Sequence, residues 1–392
     1  MKPEIFGLDL LSRKVPELLK KKVKNKRNPD KWNWKPANPH KIKHIKNIIK
    51  AEKKKTNYAA LSNYAPNDKK QDLVLVFAMG NLTYGILNNL EREKIKFVYI
   101  DYPQFILKGF VDIEFTSDKC CKLLRIEDIT VDLDDVKIVL WNPPKFPFPL
   151  VDFEMIPYKE GRNDFLFSKR WAQFLKDFSL LLPDDTIWIP GKQTVGSQDW
   201  QNKIGEYNLA KNIGLNVPSF IHTNNKETAY DFIKKHGKIL LREFSTPPYS
   251  FPPIKIENIK DGFLNNLQAS PCTFQAYIEK EFELRVILLF DKVFPCKIYS
   301  QESDLANEDW RVHDDAKVKW ELTEIPKNLE KKLFRFKKKI KLNWCSIDLI
   351  YSNDKKYYFL EANRPGAHYW LEMFVGLDIT NEIVNKIKEI IR

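Results

Sequence analysis

The stretch Trp344-Cys345-Ser346-Ile347-Asp348-Leu349-Ile350-Tyr351, followed after a polar loop by Tyr357-Tyr358-Phe359-Leu360-Glu361-Ala362-Asn363, decides the fold. Both runs are rich in β-branched and aromatic residues, and they flank Asn353-Asp354-Lys355-Lys356, so the segment reads as an antiparallel hairpin. A loop centred between Asp354 and Lys355 sets Asp348 opposite Glu361 and Ser346 opposite Asn363. Side chains alternate along a strand, so Asp348, Glu361 and Asn363 project from one face. Ile347, Leu349, Leu360 and Ala362 fall on the other face, where they can be buried. Two carboxylates set directly across from each other repel unless a cation neutralises them. Two carboxylates and an amide oxygen are hard donors and suit Mg²⁺ that also holds nucleotide phosphates. The alternative is a pair of solvated strand acids bonded to lysines.

A second hairpin lies upstream. Phe282–Phe290 and Val293–Ser300 read as strands around the turn Asp291-Lys292. Glu283 and Arg285 share a face with Ile287. An arginine on a strand otherwise made of Leu, Val and Ile needs an anionic partner. A phosphate or acyl phosphate can take its planar fork bidentately; the alternative is a salt bridge to Glu283 or a neighbouring acid. Asp309-Trp310-Arg311 supplies a second candidate cation.

Further toward the N-terminus the pattern becomes β-α-β. Leu73–Ala78 reads as a buried strand, a helical stretch runs to Leu90, and Lys96–Ile100 and Val136–Trp141 are further strands. Phe165–Leu182 and Ile204–Ile213 read as helices, the second closed by Gly214 and followed by Pro218. Lys238–Leu241 is a short strand, and Ile383, Val384, Ile387, Ile390 and Ile391 mark the apolar stripe of a last helix. No GxGxxG follows the first strand and no GxxxxGK[ST] occurs, which argues against a dinucleotide-binding fold and a P-loop.

The charge is unevenly placed. Residues 1–70 hold 20 of the 65 Lys/Arg and 6 of the 52 Asp/Glu, a net of +14, while the other 322 residues carry a net of −1. A local basic segment on a near-neutral body argues against a protein that coats nucleic acid along its length. Residues 1–70 therefore read as a tail or docking arm, with Trp32 and Trp34 able to pack on something. No apolar run approaches the length of a membrane span, and no signal-peptide core precedes Arg13-Lys14. Five cysteines without CxxC spacing fit reduced thiols in a cytoplasmic protein, with Cys345 in the core.

Taken in order, Phe274-Gln275-Ala276-Tyr277-Ile278-Glu279-Lys280, Glu283-Leu284-Arg285, Asp309-Trp310-Arg311, Ile347-Asp348-Leu349 and Phe359-Leu360-Glu361-Ala362-Asn363 resemble the ATP-grasp ligases. The nearest resemblance is to the microviridin-type (graspetide) peptide maturases, which are similar to the ribosomal-protein glutamate ligases. Gly366-Ala367-His368-Tyr369-Trp370-Leu371-Glu372 and Asn202-Lys203 also look like that subgroup. The resemblance spans about Leu73 to Arg392.

It implies an α/β (α+β) chain with the ATP-grasp fold. A basic extension (1–70) would precede a parallel-sheet domain (71–190) and two ATP-grasp subdomains (191–275 and 276–392). By the same resemblance Asp348, Glu361 and Asn363 match magnesium ligands, and Lys203 matches a lysine that contacts nucleotide phosphates. Gln275, Ala276, Tyr277 and Ile278 match a hinge whose backbone reads adenine, and Glu283 matches the acid that binds ribose. Arg285 and Arg311 match arginines near the transferred phosphate. Arg242 stands where the family usually has lysine, Ala276 where it often has glutamate, and the loop Ser245–Pro253 is rich in proline.

The expected function is ATP- and Mg²⁺-dependent ligation through an acyl phosphate, joining a carboxylate to an amine or hydroxyl. The expected substrate is an acidic ribosomal precursor peptide. Dimers are common in the family resembled, so a homodimer is the expectation carried from it. Two other readings stay open. One is addition of amino acids to a protein tail or small molecule, as in glutamate ligases. The other is a non-catalytic ATP-grasp-like binding protein with a basic arm. His313 is a candidate base, His368 a candidate at the substrate mouth, and Tyr369 and Trp370 could line a peptide groove.

Overall fold

The computed structural model describes residues 60–66, 69–78, 84–102, 105–106, 109–118, 120–142, 164–194, 203–242, 254–256, 262, 264–265, 267–302, 318–364, 368, 371–372 and 375–392. The regular elements follow in chain order. The first part has β1 (Ala60–Ser62), β2 (Leu73–Ala78), α1 (Tyr84–Arg92), β3 (Phe97–Asp101), β4 (Gly109–Phe115), β5 (Cys120–Ile126), β6 (Ile129–Asp132), β7 (Val136–Asn142), α2 (Asp164–Leu181) and β8 (Ile187–Ile189). The middle has α3 (Lys203–Ile213), β9 (Phe220–Thr223), α4 (Lys226–His236), β10 (Ile239–Arg242), β11 (Ile254–Ile256) and β12 (Cys272–Ala276). The last part has β13 (Lys280–Leu289), β14 (Lys292–Ile298), β15 (Trp320–Leu322), α5 (Lys327–Lys339), β16 (Trp344–Ser352), β17 (Tyr357–Asn363) and α6 (Ile379–Ile391).

Four sheets result. The first has the order β1-β3-β2-β7-β8 and is parallel except for β1. Its central strand, Leu-Val-Leu-Val-Phe-Ala, is buried throughout, as a parallel strand covered on both faces should be. Ile86, Leu87 and Leu90 of α1 pack on one face with Ile383, Val384 and Ile387 of α6. Leu175 and Phe178 of α2 pack on the other, beside the small sheet β4-β5-β6. Because β1 pairs with β3, the folded chain extends to Ala60, ahead of the expected boundary at Gln71. The rest of the basic extension lies outside the described residues.

The second sheet, β11-β10-β12-β9, packs on Ala229 and Ile233 of α4. The third, β15-β14-β13-β16-β17, is antiparallel throughout and carries both hairpins quoted above. On one of its faces Leu284, Val286, Leu288, Cys345, Ile347, Leu349, Phe359 and Ala362 meet α3 and α5. On the other, Ile287, Leu289 and Trp344 join the core shared with α6 and the first sheet. Cys345 is accordingly a core residue, and burial pushes its thiol up to about 12.

Three details of the hairpins correct the expectations. The turn between β13 and β14 is Phe290-Asp291, since Leu289 faces Lys292. This moves the register by an even number and leaves every side chain on its expected face. The β16–β17 loop has three residues, Asn353–Lys355, with Lys355 at φ +62° and the Ser352 N–H bonded to the Lys356 carbonyl. That shorter loop sets Leu349 opposite Phe359, and a β-bulge at Leu360 then restores Asp348 opposite Glu361 and Ser346 opposite Asn363. The expected site pairing is therefore observed, through two offsetting irregularities. Leu360 is only partly buried, and Phe359 takes the core position expected for it.

Candidate active site

The site face of the third sheet is built from three neighbouring strands. Arg285 on β13 faces Asp348 on β16, which faces Glu361 on β17. Nη1 of Arg285 lies 3.1 Å from both carboxylate oxygens of Asp348. The Asn363 amide nitrogen donates to Asp348 Oδ2 at 3.0 Å and to Glu361 Oε1 at 3.5 Å. Lys203 Nζ approaches Glu361 Oε2 at 2.9 Å from the first turn of α3. Each carboxylate thus has a basic partner on its own side, so the alternative of strand acids paired to cations describes this arrangement in part.

The two acids also converge on a single donor between them. The Asn363 nitrogen occupies a point reached by oxygens of both, where positive charge is favoured. A half-turn of that amide would replace its NH₂ with its oxygen and yield three oxygens around one point. Among the described residues no three His, Cys, Asp or Glu side chains gather into a metal cluster. Two carboxylates and an amide form a sparser set. Such a set fits Mg²⁺, which is usually held by one or two carboxylates together with substrate phosphates.

The other candidates are placed as follows. Glu283 shares the face of Arg285, and its carboxylate accepts from Lys280 Nζ at 2.5 Å and Ser300 Oγ at 2.8 Å. Gln275 is buried in β12, and its side-chain oxygen accepts the Tyr207 hydroxyl at 3.0 Å. The N–H groups of Ala276 and Tyr277 bond to the carbonyls of Ser219 and Lys238. Arg242 ends β10 opposite Thr273. Arg311 and His313 lie outside the described residues, as do Tyr369, Trp370 and the loop Ser245–Pro253. His368 is buried, with its ring 5.0 Å from that of Trp344.

One residue beside the site was not singled out from sequence. Glu206, on α3, is buried between the Ala362 N–H at 3.1 Å and Arg364 Nη2 at 2.8 Å. Burial pushes its carboxyl up to about 7, against the opposing pull of Arg364 and the Ala362 N–H. A signal was present: Glu206 falls within the stripe Tyr207, Ala210, Ile213 that buries α3. The helix ends as its glycine foretold. Gly214 takes φ +88°, its N–H bonds to the Lys211 carbonyl, and the Leu215 N–H bonds to that of Ala210.

No protein-family model matches the chain, and no curated protein does. Solved structures do. The macrocyclase MdnC bound with precursor peptide MdnA, from Microcystis aeruginosa MRC, is 22% identical with a TM-score of 0.66, over 80% of this chain and 99% of that one. A Chryseobacterium gregarium RiPP-associated ATP-grasp ligase, in complex with ADP and a leader and core peptide, is also 22% identical with a TM-score of 0.66. That match covers 82% of this chain and 96% of the ligase. The ATP-grasp ligase PsnB, complexed with minimal precursor, Mg and ADP, is 16% identical with a TM-score of 0.66, over 84% of this chain and 100% of PsnB. The likeness runs through nearly the whole of each of these proteins and 80–84% of this one: this chain has the ATP-grasp fold.

Proposed function

We propose that the chain is an ATP-dependent ligase that activates a carboxylate as an acyl phosphate and joins it to an amine or a hydroxyl. Its proposed substrate is a ribosomally made precursor peptide. The observation that carries this reading is the convergence of Asp348, Glu361 and Asn363, flanked by Arg285 and Lys203, on one face of an ATP-grasp sheet. The peptide is suggested by the solved structures of similar fold, which hold precursor peptides.

Asp348, Glu361 and the oxygen of Asn363 would hold Mg²⁺, which when bound neutralises the phosphates of ATP. Lys203 and Arg285 then act on anions rather than on the two acids alone. Lys203, at the N-terminus of α3, presents its ammonium where the helix also favours negative charge. In the reaction a substrate carboxylate oxygen attacks the γ-phosphorus, a new O–P bond forms, and ADP leaves. Arg285 and Arg311 would hold the acyl phosphate while the amine or hydroxyl attacks its carbonyl carbon and phosphate departs. The nucleophile's proton goes to solvent or to a base outside the described residues. The protein's main contribution is alignment and charge neutralisation.

No described helix is long and apolar enough to cross a membrane. With the thiols unpaired in any disulfide, a cytoplasmic location is proposed. The test is ADP release with Asp/Glu-rich candidate peptides, followed by product mass. Loss of one water per ADP released means internal cyclisation, and a gain in mass means addition of a building block. Absence of peptide-stimulated ADP release across such a panel would reject the peptide substrate.

A further inference from the structure

Among the described residues β17 is the outer strand of its sheet, so alternate backbone N–H groups point away from β16 with no described strand to receive them. The bulge at Leu360 makes these donors Phe359 and Ala362, three residues apart. Both are taken by the segment that includes α3. The Asn216 carbonyl, just beyond the helix, accepts the Phe359 N–H at 2.8 Å, and the Glu206 carboxylate accepts the Ala362 N–H at 3.1 Å. Glu206 therefore stands in for a missing strand at Ala362, the one residue between Glu361 and Asn363.

The same turn of helix does more. Lys203 and Glu206 are three residues apart, on one side of α3. Lys203 reaches Glu361, and Glu206 holds Ala362 with one oxygen and Arg364 with the other. One helical turn thus grips positions 361, 362 and 364, which enclose two of the three proposed metal-binding residues.

We infer that Glu206 is a positioning residue: it fixes the Glu361–Asn363 backbone so that the carboxylate of Glu361 and the amide of Asn363 aim at one cation. The inference rests on the proposed Mg²⁺ site. Without the carboxylate, the buried Ala362 N–H and the partly buried Arg364 guanidinium lose this acceptor, and the end of β17 can twist. Residues that orient metal ligands from behind affect metal affinity by about 10–100-fold when lost.

The experiment is calorimetric titration of ADP at a series of Mg²⁺ concentrations, with wild type, Glu206→Gln and the pair Glu206→Gln/Arg364→Gln. Glutamine keeps one acceptor but turns its NH₂ toward Arg364. The expected result is an increase of about tenfold or more in the Mg²⁺ concentration that half-saturates ADP binding for Glu206→Gln. ADP affinity at saturating Mg²⁺ should stay within a few-fold of wild type. The double variant, whose two amides can bond to each other, should recover part of the loss. Thermal unfolding of each variant checks the fold, and a merely structural role would lower stability without moving the Mg²⁺ dependence. If wild-type ADP binding depends on Mg²⁺ and Glu206→Gln leaves that dependence unchanged, the positioning role is wrong and the metal site stands. If wild-type binding is indifferent to Mg²⁺, the metal site and this inference fail together.

Discussion

Arg285 on β13 stands directly across from Asp348 on β16, and one nitrogen of its guanidinium lies 3.1 Å from both carboxylate oxygens. The arginine side chain is 8% exposed, so the pair is nearly enclosed. Removing one partner from such a pair strands the other's charge and costs about 3–5 kcal/mol. Asp348 therefore has two duties, as proposed metal ligand and as counter-ion to Arg285. Glu361 is paired instead with Lys203, whose side chain is 19% exposed, so the ammonium left by its loss is better reached by water.

The two acids should accordingly behave differently when neutralised. Glu361→Gln is expected to lower peptide-stimulated ADP release by about 100-fold or more, with thermal unfolding close to wild type. Asp348→Asn should lose as much turnover and also lose stability. Adding Arg285→Gln to Asp348→Asn removes the stranded charge, so stability should recover while turnover stays absent. Undiminished ADP release in Glu361→Gln would remove the metal assignment. Equal stability of Asp348→Asn and wild type would show that the ion pair contributes nothing net.

Gln275 belongs to a stretch proposed to read adenine, yet its side chain faces inward to the Tyr207 hydroxyl at 3.0 Å. Tyr207→Phe leaves that buried amide oxygen without its donor, at a cost of about 1–3 kcal/mol. Urea unfolding should register the loss. ATP affinity measured by titration should be unchanged, because base reading would fall to the backbone. A large drop in affinity without loss of stability would mean that the side chain of Gln275 meets the nucleotide.

Much of this arrangement was legible before any coordinates. Alternation placed Asp348, Glu361 and Asn363 on one face of their hairpin and Glu283 and Arg285 on one face of theirs, because period-two patterning depends only on parity; the pairing of β13 with β16, which sets Arg285 across from Asp348, joins residues far apart in sequence and was not legible. What alternation could not foresee was the loop length and the bulge at Leu360, since turn geometry at Asn353–Lys355 depends on Lys355 adopting a left-handed conformation. Glu206 was missed because a buried charge contradicts the pattern used to find buried faces; its partners Ala362 and Arg364 are distant in sequence. The small sheet β4-β5-β6 was passed over for a related reason. Phe110 and Phe115 of β4 are exposed while Val111 and Ile113 pack inward, which blurs the polar–apolar alternation.

Glu372 gives the fold a pH dependence. Its carboxylate is buried and accepts the Thr380 N–H at 2.5 Å and the Thr380 hydroxyl at 3.0 Å, near the start of α6. Burial outweighs those bonds and pushes its pKa from 4.5 to about 7. Between those two values the folded protein keeps a proton that the unfolded chain has lost. Stability contributed by this group is therefore present below about pH 4.5 and declines as pH rises toward about 7, by roughly 3 kcal/mol in all. Glu372→Gln keeps a carbonyl acceptor and cannot ionise. Urea unfolding at pH 5 and pH 8 should show a smaller loss of stability for the variant than for wild type. Parallel pH profiles would show that Glu372 titrates normally.

The structure also changes how the basic arm should be tested. Removing residues 1–70 would take away β1 and with it Tyr64, whose hydroxyl bonds to the buried Asp135 at 2.6 Å. Residues 1–59 alone carry 18 Lys/Arg and 5 Asp/Glu, nearly the whole excess of charge. A chain beginning at Ala60 is expected to unfold at the wild-type temperature, and one beginning at Gln71 several degrees lower, because Asp135 loses a donor and β3 loses its outer neighbour. Attraction between the arm and an acidic peptide acts through water and is screened over about 8–10 Å at ordinary ionic strength. The chain beginning at Ala60 should therefore bind an Asp/Glu-rich peptide more weakly than the full chain at low salt. The two affinities should converge as salt is raised, while ATP binding is the same for both. Equal peptide affinity at every salt concentration would mean that the arm has no part in substrate capture and that its +13 serves some other partner.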